Sequence, residues 1–332
     1  MINFIAIPQN TSYMSFTINR YREKELSFVA LQDTATGTKI VLLPAYGALL
    51  HAFEIPVKGK PFNIIDNYSG KEDIDSTLGM TFKSSKLSPF VCRIANGKYT
   101  IDDEEFEFRN KFIDNSAIHG LLYNKPFSIT SEFADDYKAA VTLKYHYKKD
   151  DPGYPYEYTC EVRYTLLARQ TLQIETTILN LDDLSIPIAD GWHPYFQLGG
   201  LIDDYEMHFR SDTMLEFDDR LIPTGRLLRE PSWLEGRIIG DIKLDNCFLL
   251  QVEEGVPCCM LYNPSNHLTL SLFSNKYYPY LQVYTPGHRK SIALENLSAA
   301  PDCYNNGMGV MLLPARHSHT FTAWYQAGIE EP

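Results

Sequence analysis

The segment Gly191–Phe196 (Gly-Trp-His-Pro-Tyr-Phe) places one histidine among aromatic residues and residues that interrupt strands. The imidazole of His193 can give or take a proton near neutral pH. Pro194 disfavours helix for the residue before it, so His193 is expected in an extended backbone. Gly191 and Pro194 also break strand pairing and free this side chain to face a cleft. Flat rings beside an acid–base group suit a sugar. The alternative is a core histidine that donates to a backbone carbonyl.

A carboxylate far downstream supplies the second half of an acid–base pair. Glu295 lies between the apolar run Ser291–Leu294 and a loop that contains Pro301 and Asp302. Charged residues at the end of a buried strand are either paired or functional. Burial raises the pKa of a glutamate, as a base that works near pH 7 needs. A histidine acid and a glutamate base are what opening and reclosing a sugar ring requires.

Three more polar residues are candidates for binding a sugar. His119 adds a second imidazole, and its alternative is an ordinary loop histidine. Arg93 lies inside an apolar run, where its planar guanidinium either clamps sugar oxygens or forms a buried salt bridge to a carboxylate. Asp245 either accepts hydrogen bonds from two neighbouring hydroxyls or is an ordinary turn aspartate.

Other motifs are weak. His317–His319 places two histidines on one strand face with no third ligand nearby, so no metal site is predicted there. Gly307–Gly309 lacks the third glycine of a dinucleotide loop and has no βαβ context. The G-x-S-x-G, P-loop and H-E-x-x-H motifs do not occur.

The composition sets limits on the class of protein. The chain has 332 residues, 44% of them hydrophobic, which is ample for a large core. The net charge is −12 with scattered lysines and arginines, which disfavours nucleic acid as a partner. Six dispersed cysteines without a C-x-x-C indicate reduced, buried thiols. Neither a signal sequence nor an apolar run of membrane-helix length occurs. We therefore expect a soluble, cytoplasmic protein with no membrane partner.

Period-two alternation of apolar residues dominates the chain and predicts antiparallel strands. A charged turn, Asp102–Glu105, joins two short runs into a hairpin. Further strands are predicted near residues 141–147, 158–166, 172–178, 205–209, 268–272, 310–313 and 320–325. Short helical turns are expected only near Asp73–Leu78 and Ser232–Leu234. The pattern predicts an all-β chain, a large antiparallel β-sandwich formed by residues 1–332 as a single domain.

Taken in order, these segments resemble the aldose 1-epimerase (galactose mutarotase) family from about residue 25 to 325. The matching pieces are Arg93 within Cys92–Gly97, His119-Gly120, His193–Phe196, Asp245 before Cys247-Phe248, and Glu295 with the following Pro301–Asn305. The resemblance implies the large β-sandwich called a supersandwich, with an open cleft across one sheet.

The resemblance also implies roles. Glu295 takes the proton of the anomeric hydroxyl, and His193 protonates the ring oxygen from the opposite side of the pyranose. The ring opens, the C1–C2 bond rotates, and reclosure exchanges the α and β anomers. His119 and Arg93 hydrogen-bond the sugar, and Asp245 holds distal hydroxyls. Neither a metal nor an organic cofactor is implied, because only protons move. Activity is expected to fall as Glu295 protonates in acid and as His193 loses its proton in alkali.

The chain departs from the family pattern beside these residues. Many members have asparagine where Cys92 stands, histidine where Asn246 stands and a second glycine where Leu121 stands. Glu295 is followed by Asn-Leu-Ser instead of the commoner proline-containing sequence. These positions line or support the cleft, so the preferred sugar stays open.

Several alternatives for function also stay open. A hexose-6-phosphate 1-epimerase needs cations near the C6 end of the cleft, for which Lys83, Lys86 and Lys125 are candidates. A non-catalytic carbohydrate-binding protein needs no matched acid and base, and a polysaccharide-processing enzyme needs a longer groove. The expected partner is a small sugar, and the chain is either a monomer or a homodimer.

Overall fold

The computed structural model describes residues 15–112 and 114–330, and most of these residues lie in strands. The strands of the first part of the chain are β1 (Phe16–Glu23), β2 (Leu26–Asp33), β3 (Lys39–Leu43), β4 (Leu49–Val57), β5 (Lys60–Asn63), β6 (Ser85–Leu87), β7 (Arg93–Ile94), β8 (Lys98–Ile101), β9 (Glu104–Glu107) and β10 (Ala117–Ile118). The central strands are β11 (Ser128–Ala134), β12 (Lys138–Lys148), β13 (Glu157–Leu167), β14 (Thr171–Asn180), β15 (Ile186–Ile188), β16 (Gly191–His193), β17 (Tyr195–Phe196), β18 (Glu206–Phe209) and β19 (Thr213–Phe217).

The remaining strands are β20 (Pro223–Arg229), β21 (Arg237–Ile238), β22 (Asp245–Leu249), β23 (Cys259–Asn263), β24 (Leu268–Ser274), β25 (Tyr280–Tyr284), β26 (Ile292–Leu297), β27 (Met311–Leu313) and β28 (Ser318–Ile329). The helices are α1 (Lys71–Thr81), α2 (Cys303–Asn306) and 3₁₀ turns at Ala95–Gly97 and Ile202–Asp204. None of the helices in the described ranges is long and apolar enough to cross a membrane.

Three sheets carry most of these strands. The largest has nine strands in the order β11-β12-β13-β14-β28-β24-β23-β18-β21. An eight-stranded sheet runs β20-β19-β22-β25-β26-β16-β6, with β17 also paired to β26, and a five-stranded sheet runs β1-β2-β3-β4-β5. The strand pairs in these sheets are antiparallel. The all-β prediction is therefore confirmed.

The eight-stranded sheet packs face to face on the nine-stranded sheet through aromatic side chains. The ring of Phe196 meets the edge of Tyr325 at 5.3 Å, and Trp192 meets Tyr164 at 5.8 Å. On the nine-stranded sheet, buried and partly buried residues alternate along the whole of β14. This alternation is the sequence pattern that predicted a sandwich, because successive side chains of a strand point to opposite faces of its sheet.

Several local predictions have clear outcomes. The predicted hairpin is β8–β9, in which Asp102 and Asp103 adopt the left-handed conformation of a two-residue turn. The predicted helical turn near Asp73–Leu78 lies inside α1. The helical turn predicted at Ser232–Leu234 is wrong. That segment is one tight turn with an i→i+3 bond from Leu234 to Pro231, ended by a left-handed glycine.

The single-domain assignment of residues 1–332 stays a prediction, and positions 1–14, 113, 331 and 332 lie outside the described residues. Within the described ranges, one continuous core cluster includes residues from Phe16 near the start to Ala327 near the end.

Candidate active site

A cavity of about 430 Å³ brings together all five side chains that the sequence singled out. They are Arg93, His119, His193, Asp245 and Glu295. They come from different strands and loops separated by up to 202 positions of sequence, counted from Arg93 to Glu295. Their placement in one cavity is a property of the fold, whereas their roles stay predictions.

The register of two strands brings His193 and Glu295 face to face. In the pairing with β26, Gly191 lies opposite Leu297 and Tyr195 lies opposite Ala293. The same register places His193 directly opposite Glu295, although Pro194 removes a backbone donor between β16 and β17. Residues directly opposite each other in an antiparallel pair have side chains on the same face of the sheet. The two side chains therefore meet on the cavity side.

The acid–base pair is close and buried. His193 Nε2 lies 3.3 Å from Glu295 Oε1. The two residues are 5% and 2% exposed. The expectation that they approach a pyranose from opposite sides stays a prediction, although the 3.3 Å between the two atoms leaves no room for a ring between them as they lie here. Both groups can instead reach one edge of the sugar, since the anomeric hydroxyl and the ring oxygen share the carbon C1.

Burial sets the protonation of this pair. It raises the pKa of Glu295 well above the ordinary 4.5, and the nearby Asp245 adds to the shift. It lowers the pKa of His193 to about 4. Both shifts favour the neutral forms of the pair, a protonated carboxyl and a neutral imidazole. These directions run opposite to the expected titration of the glutamate in acid and of the histidine in alkali, and the assignment of the two roles stays a prediction.

A strained loop supplies the second imidazole. His119 has a φ of 58°, and its N–H donates to Cys92 O at 2.7 Å. The following Gly120 has a φ of 76°, and a Cβ there would lie 2.3 Å from Ser88 O. Only glycine fits this close approach, which turns His119 into the cavity. Its ring meets the ring of His193 edge-on at 4.8 Å. Burial lowers the pKa of His119 well below 6.5.

Arg93 forms an ion pair with Asp114 and also lines the cavity. It lies on β7, which pairs with β10 just before His119. Its Nη1 donates to Asp114 Oδ2 at 3.0 Å, so the salt-bridge alternative is real. A guanidinium has five N–H donors, and those not used by Asp114 are free to face the cavity. The Pro301-Asp302 loop holds this strand, because the Asp302 N–H donates to Arg93 O at 2.7 Å.

Gln282 is a site residue that the sequence reading missed. It lies directly opposite Glu295 in the β25–β26 pairing. Its Nε2 donates to Asp245 Oδ1 at 2.7 Å, which leaves the second Asp245 oxygen for a ligand. Burial raises the pKa of Asp245, with Arg93 and Gln282 opposing that rise. The available signal was a single amide inside the apolar strand Tyr280–Tyr284.

The candidate cations for a sugar phosphate are dispersed or neutralised. Lys83 lines the cavity, but its Nζ donates to Asp66 Oδ1 at 2.7 Å. Lys86 is fully buried outside the cavity in an ion pair with Asp190. Lys125 lines a separate depression. Of these three lysines, only Lys83 lines the cavity that contains His193 and Glu295.

Three side chains of the site also have the chemistry of metal ligands. His119, His193 and Glu295 each offer one ligand atom, and these atoms all lie within 4.8 Å of one another. His119 Nδ1, His193 Nδ1 and Glu295 Oε2 are buried without a hydrogen-bond partner. Unpaired buried polar atoms are costly, so their concentration at one cavity indicates a binding site.

The comparisons with known proteins agree with this fold. The family model for aldose 1-epimerase matches residues 31–326. A protein of Escherichia coli K12 named YihR, described as uncharacterized, is 26% identical over 240 residues, which cover 70% of this chain and 75% of that protein. An aldose 1-epimerase of Streptococcus thermophilus is 23% identical over 314 residues, covering 84% and 88%.

A solved structure from Clostridium acetobutylicum, a galactose mutarotase-like protein, superposes with a TM-score of 0.84 at 18% identity. The superposition covers 95% of this chain and 99% of that one, so the two share the fold. The chain belongs to the aldose 1-epimerase family. The resemblance that the sequence motifs carried is confirmed.

Proposed function

We propose that the protein is an isomerase that interconverts the α and β anomers of a free, neutral aldohexose. The observation that carries this proposal is the contact of 3.3 Å between His193 Nε2 and Glu295 Oε1 in the wall of an open cavity. A base and an acid this close can serve two oxygens attached to one carbon, and ring opening at C1 needs that arrangement.

The mechanism conserves the single proton of the pair. Transfer of that proton from Glu295 to His193 gives a carboxylate and an imidazolium across their contact. The carboxylate then takes the proton of the anomeric hydroxyl while the imidazolium protonates the ring oxygen, and the C1–O5 bond breaks. The C1–C2 bond of the open aldehyde rotates, and the reverse transfers close the ring on the other face. The pair ends with the one proton with which it began.

The neighbouring groups hold the sugar during this exchange. His119 stays neutral and hydrogen-bonds the sugar near the ring oxygen, beside the free donors of Arg93. Asp245 accepts from distal hydroxyls through the oxygen that Gln282 leaves free. Tyr195 stacks on the imidazole of His193 at 5.1 Å and limits its rotation.

Charge favours a neutral sugar over a sugar phosphate. The two cations that line the cavity, Lys83 and Arg93, already pair with Asp66 and Asp114. A phosphate group is bound best by charge-assisted bonds from cations that it does not have to share. The carboxyl of Asp245 adds repulsion. A hexose 6-phosphate is therefore the weaker substrate in this proposal.

Polarimetry on freshly dissolved α-glucose and α-galactose tests the proposal. The wild-type protein should accelerate anomer exchange, and Glu295→Gln and His193→Asn should each lower that acceleration by about 10²- to 10⁴-fold. His317→Gln is the matched control, because His317 is exposed and does not line the cavity. Its rate should equal that of the wild type.

Calorimetric titration with the same sugars separates catalysis from binding. Sugar binding by the wild-type protein without rate enhancement would overturn the isomerase assignment and favour a carbohydrate-binding protein. Faster exchange of glucose 6-phosphate than of glucose would overturn the assignment of a neutral substrate.

A further inference from the structure

The two imidazoles and the carboxylate of the cavity form a set of three ligands with one side open. His119, His193 and Glu295 supply two nitrogens and an oxygen, and all three ligand atoms lie within 4.8 Å of one another. No other group of three such side chains occurs in the ranges that the structure describes. Two histidines and one glutamate are a ligand set that Zn²⁺ accepts, with water in the fourth position.

The closest two ligand atoms already have the spacing of a tetrahedral site. His193 Nε2 and Glu295 Oε1 are 3.3 Å apart. An ion about 2.05 Å from each atom would make a nitrogen–metal–oxygen angle of about 107°, close to the tetrahedral angle of about 109°. The ligand atom of His119 has to move by on the order of 1 Å to reach the same spacing. A change in the χ angles of its imidazole supplies a movement of that size.

The surroundings of these ligands favour reversible binding over a resident metal. A ligating histidine almost always donates its other ring N–H to a carboxylate or carbonyl, and loss of such a partner costs about 10- to 100-fold in affinity. The Nδ1 atoms of His119 and His193 have no partner. The site is therefore complete in ligands but lacks the outer hydrogen bonds that would hold them in place.

We propose that a divalent transition-metal ion of the Zn²⁺ class binds to His119, His193 and Glu295 and blocks the active site in competition with the sugar. The blocking rests on the proposed function, whereas the binding does not. The ion would occupy the imidazole nitrogen and the carboxylate oxygen that exchange protons with the sugar. When the ion occupies both atoms, the pair can neither take the proton of the anomeric hydroxyl nor protonate the ring oxygen.

Direct titration of the metal-free protein with Zn²⁺ against a chromogenic chelator tests the binding. One ion per chain is expected, and Glu295→Gln and His119→Asn should each weaken binding by at least about tenfold, since ligand loss costs at least as much as loss of an outer partner. His317→Gln is the control for the exposed His317–His319 motif and should bind as the wild type does. Affinity unchanged in both site variants, or lost in His317→Gln, overturns the site.

A measurement on the wild-type protein keeps the test independent of how the variants fold. Co²⁺ at the proposed site should give the intense visible absorption of a four-coordinate ion, and one equivalent of Zn²⁺ should abolish it. Only the weak absorption of six-coordinate Co²⁺ at one equivalent would overturn the site.

Anomer exchange then separates the two proposals. With an active protein, Zn²⁺ should raise the apparent KM for the sugar and leave kcat unchanged, and an excess of chelator should restore the rate. A rate that saturating Zn²⁺ leaves unchanged overturns the blocking. Zn²⁺ binding by a metal-free protein that exchanges no anomers leaves the metal site standing and removes the proposed function.

Discussion

Two groups of buried ionisable side chains lie on either side of β16 and differ in how completely they are paired. Lys86 and Asp190 are both 0% exposed, and Lys86 Nζ lies 2.5 Å from Asp190 Oδ2. The same ammonium donates to Gly191 O and lies 4.5 Å from the ring centre of Trp192. Tyr278 donates to the other Asp190 oxygen at 2.6 Å. Both charged groups of this first cluster are paired, although Asp190 Oδ2 accepts no hydrogen bond and is matched only by its ion pair with Lys86.

The cavity cluster is equally buried but incomplete. Glu295 Oε2 and one nitrogen of each imidazole have no partner. The first cluster instead ties strands together, because Asp190 and Ser298 exchange hydrogen bonds just beyond the ends of β16 and β26. Satisfied buried charges can specify an arrangement of strands, whereas unsatisfied ones mark a place where a ligand completes the pairing. The comparison separates the groups that position the site from those that react.

The largest expected effect comes from breaking the complete cluster. Lys86→Met should lower the free energy of unfolding by about 3–5 kcal/mol, because it leaves the carboxylate of Asp190 buried without its counterion. Urea unfolding monitored by circular dichroism measures this loss. The control is Lys39→Met, whose ion pair with Glu54 is partly exposed and should cost at most about 1 kcal/mol. Equal losses in the two variants would contradict a special role for the buried pair.

Substitution in the incompletely paired cavity cluster should change the free energy of unfolding in the opposite direction. Glu295→Gln should raise the free energy of unfolding at pH 7 by about 1–3 kcal/mol, since the amide does not have to take up a proton on folding as the buried carboxyl does. The folded-state pKa of Glu295 is raised above the ordinary 4.5. Its contribution to stability is thus fully present below pH 4.5 and is lost as pH rises through the folded pKa.

The same urea experiment repeated across pH checks the sign of this prediction. The stability difference between Glu295→Gln and the wild type should disappear below about pH 4.5. A variant that is less stable than the wild type at pH 7 would show that Glu295 is a structural residue.

Much of the fold and the membership of the site could be predicted from sequence, because both depend on local pattern. Alternating apolar residues predicted the long strands, and His193 and Glu295 stood out as polar residues beside apolar runs. The distance between them could not be predicted. It depends on the register of β26 against β16 and β17, which the packing of the sandwich decides.

The missed features share one physical cause. Gln282 becomes a residue of the site only because the strand register places it opposite Glu295. Asp114 and Asp66 become partners of Arg93 and Lys83 only when distant loops fold against the cavity. Tertiary contacts bring a carboxylate to each of these cations and so determine whether its charge is neutralised. The sequence around the cation contains no local signal for such a contact.

The pH dependence of catalysis sharpens the comparison further. We predict a bell in which the acid limb lies near pH 4, where the buried His193 of the pair takes up a second proton. The alkaline limb reports loss of the proton from Glu295, whose pKa is raised by burial. Initial rates of anomer exchange across pH measure both limbs. An acid limb near 6.5, the ordinary imidazole value, would show that His193 is not desolvated as the structure indicates.

Infrared spectroscopy gives an independent check on which group holds the proton. At neutral pH the wild-type protein should show a protonated carboxyl band that is absent from Glu295→Gln. Identical spectra for the two proteins would place the resting proton on the imidazole instead.

The smallest effect is expected at Lys83, whose charge is already paired. Lys83→Met should change kcat/KM for glucose by less than about threefold, the range of a partly exposed ion pair. The matched variant Asp66→Asn frees the ammonium at the edge of the cavity and should raise kcat/KM for glucose 6-phosphate relative to glucose. This pair of variants extends the comparison of paired and unpaired charges to the substrate, because Asp66 neutralises Lys83 as Asp190 neutralises Lys86. A loss of more than about tenfold on glucose 6-phosphate in Lys83→Met, with glucose unaffected, would mean that Lys83 leaves Asp66 to bind a phosphate.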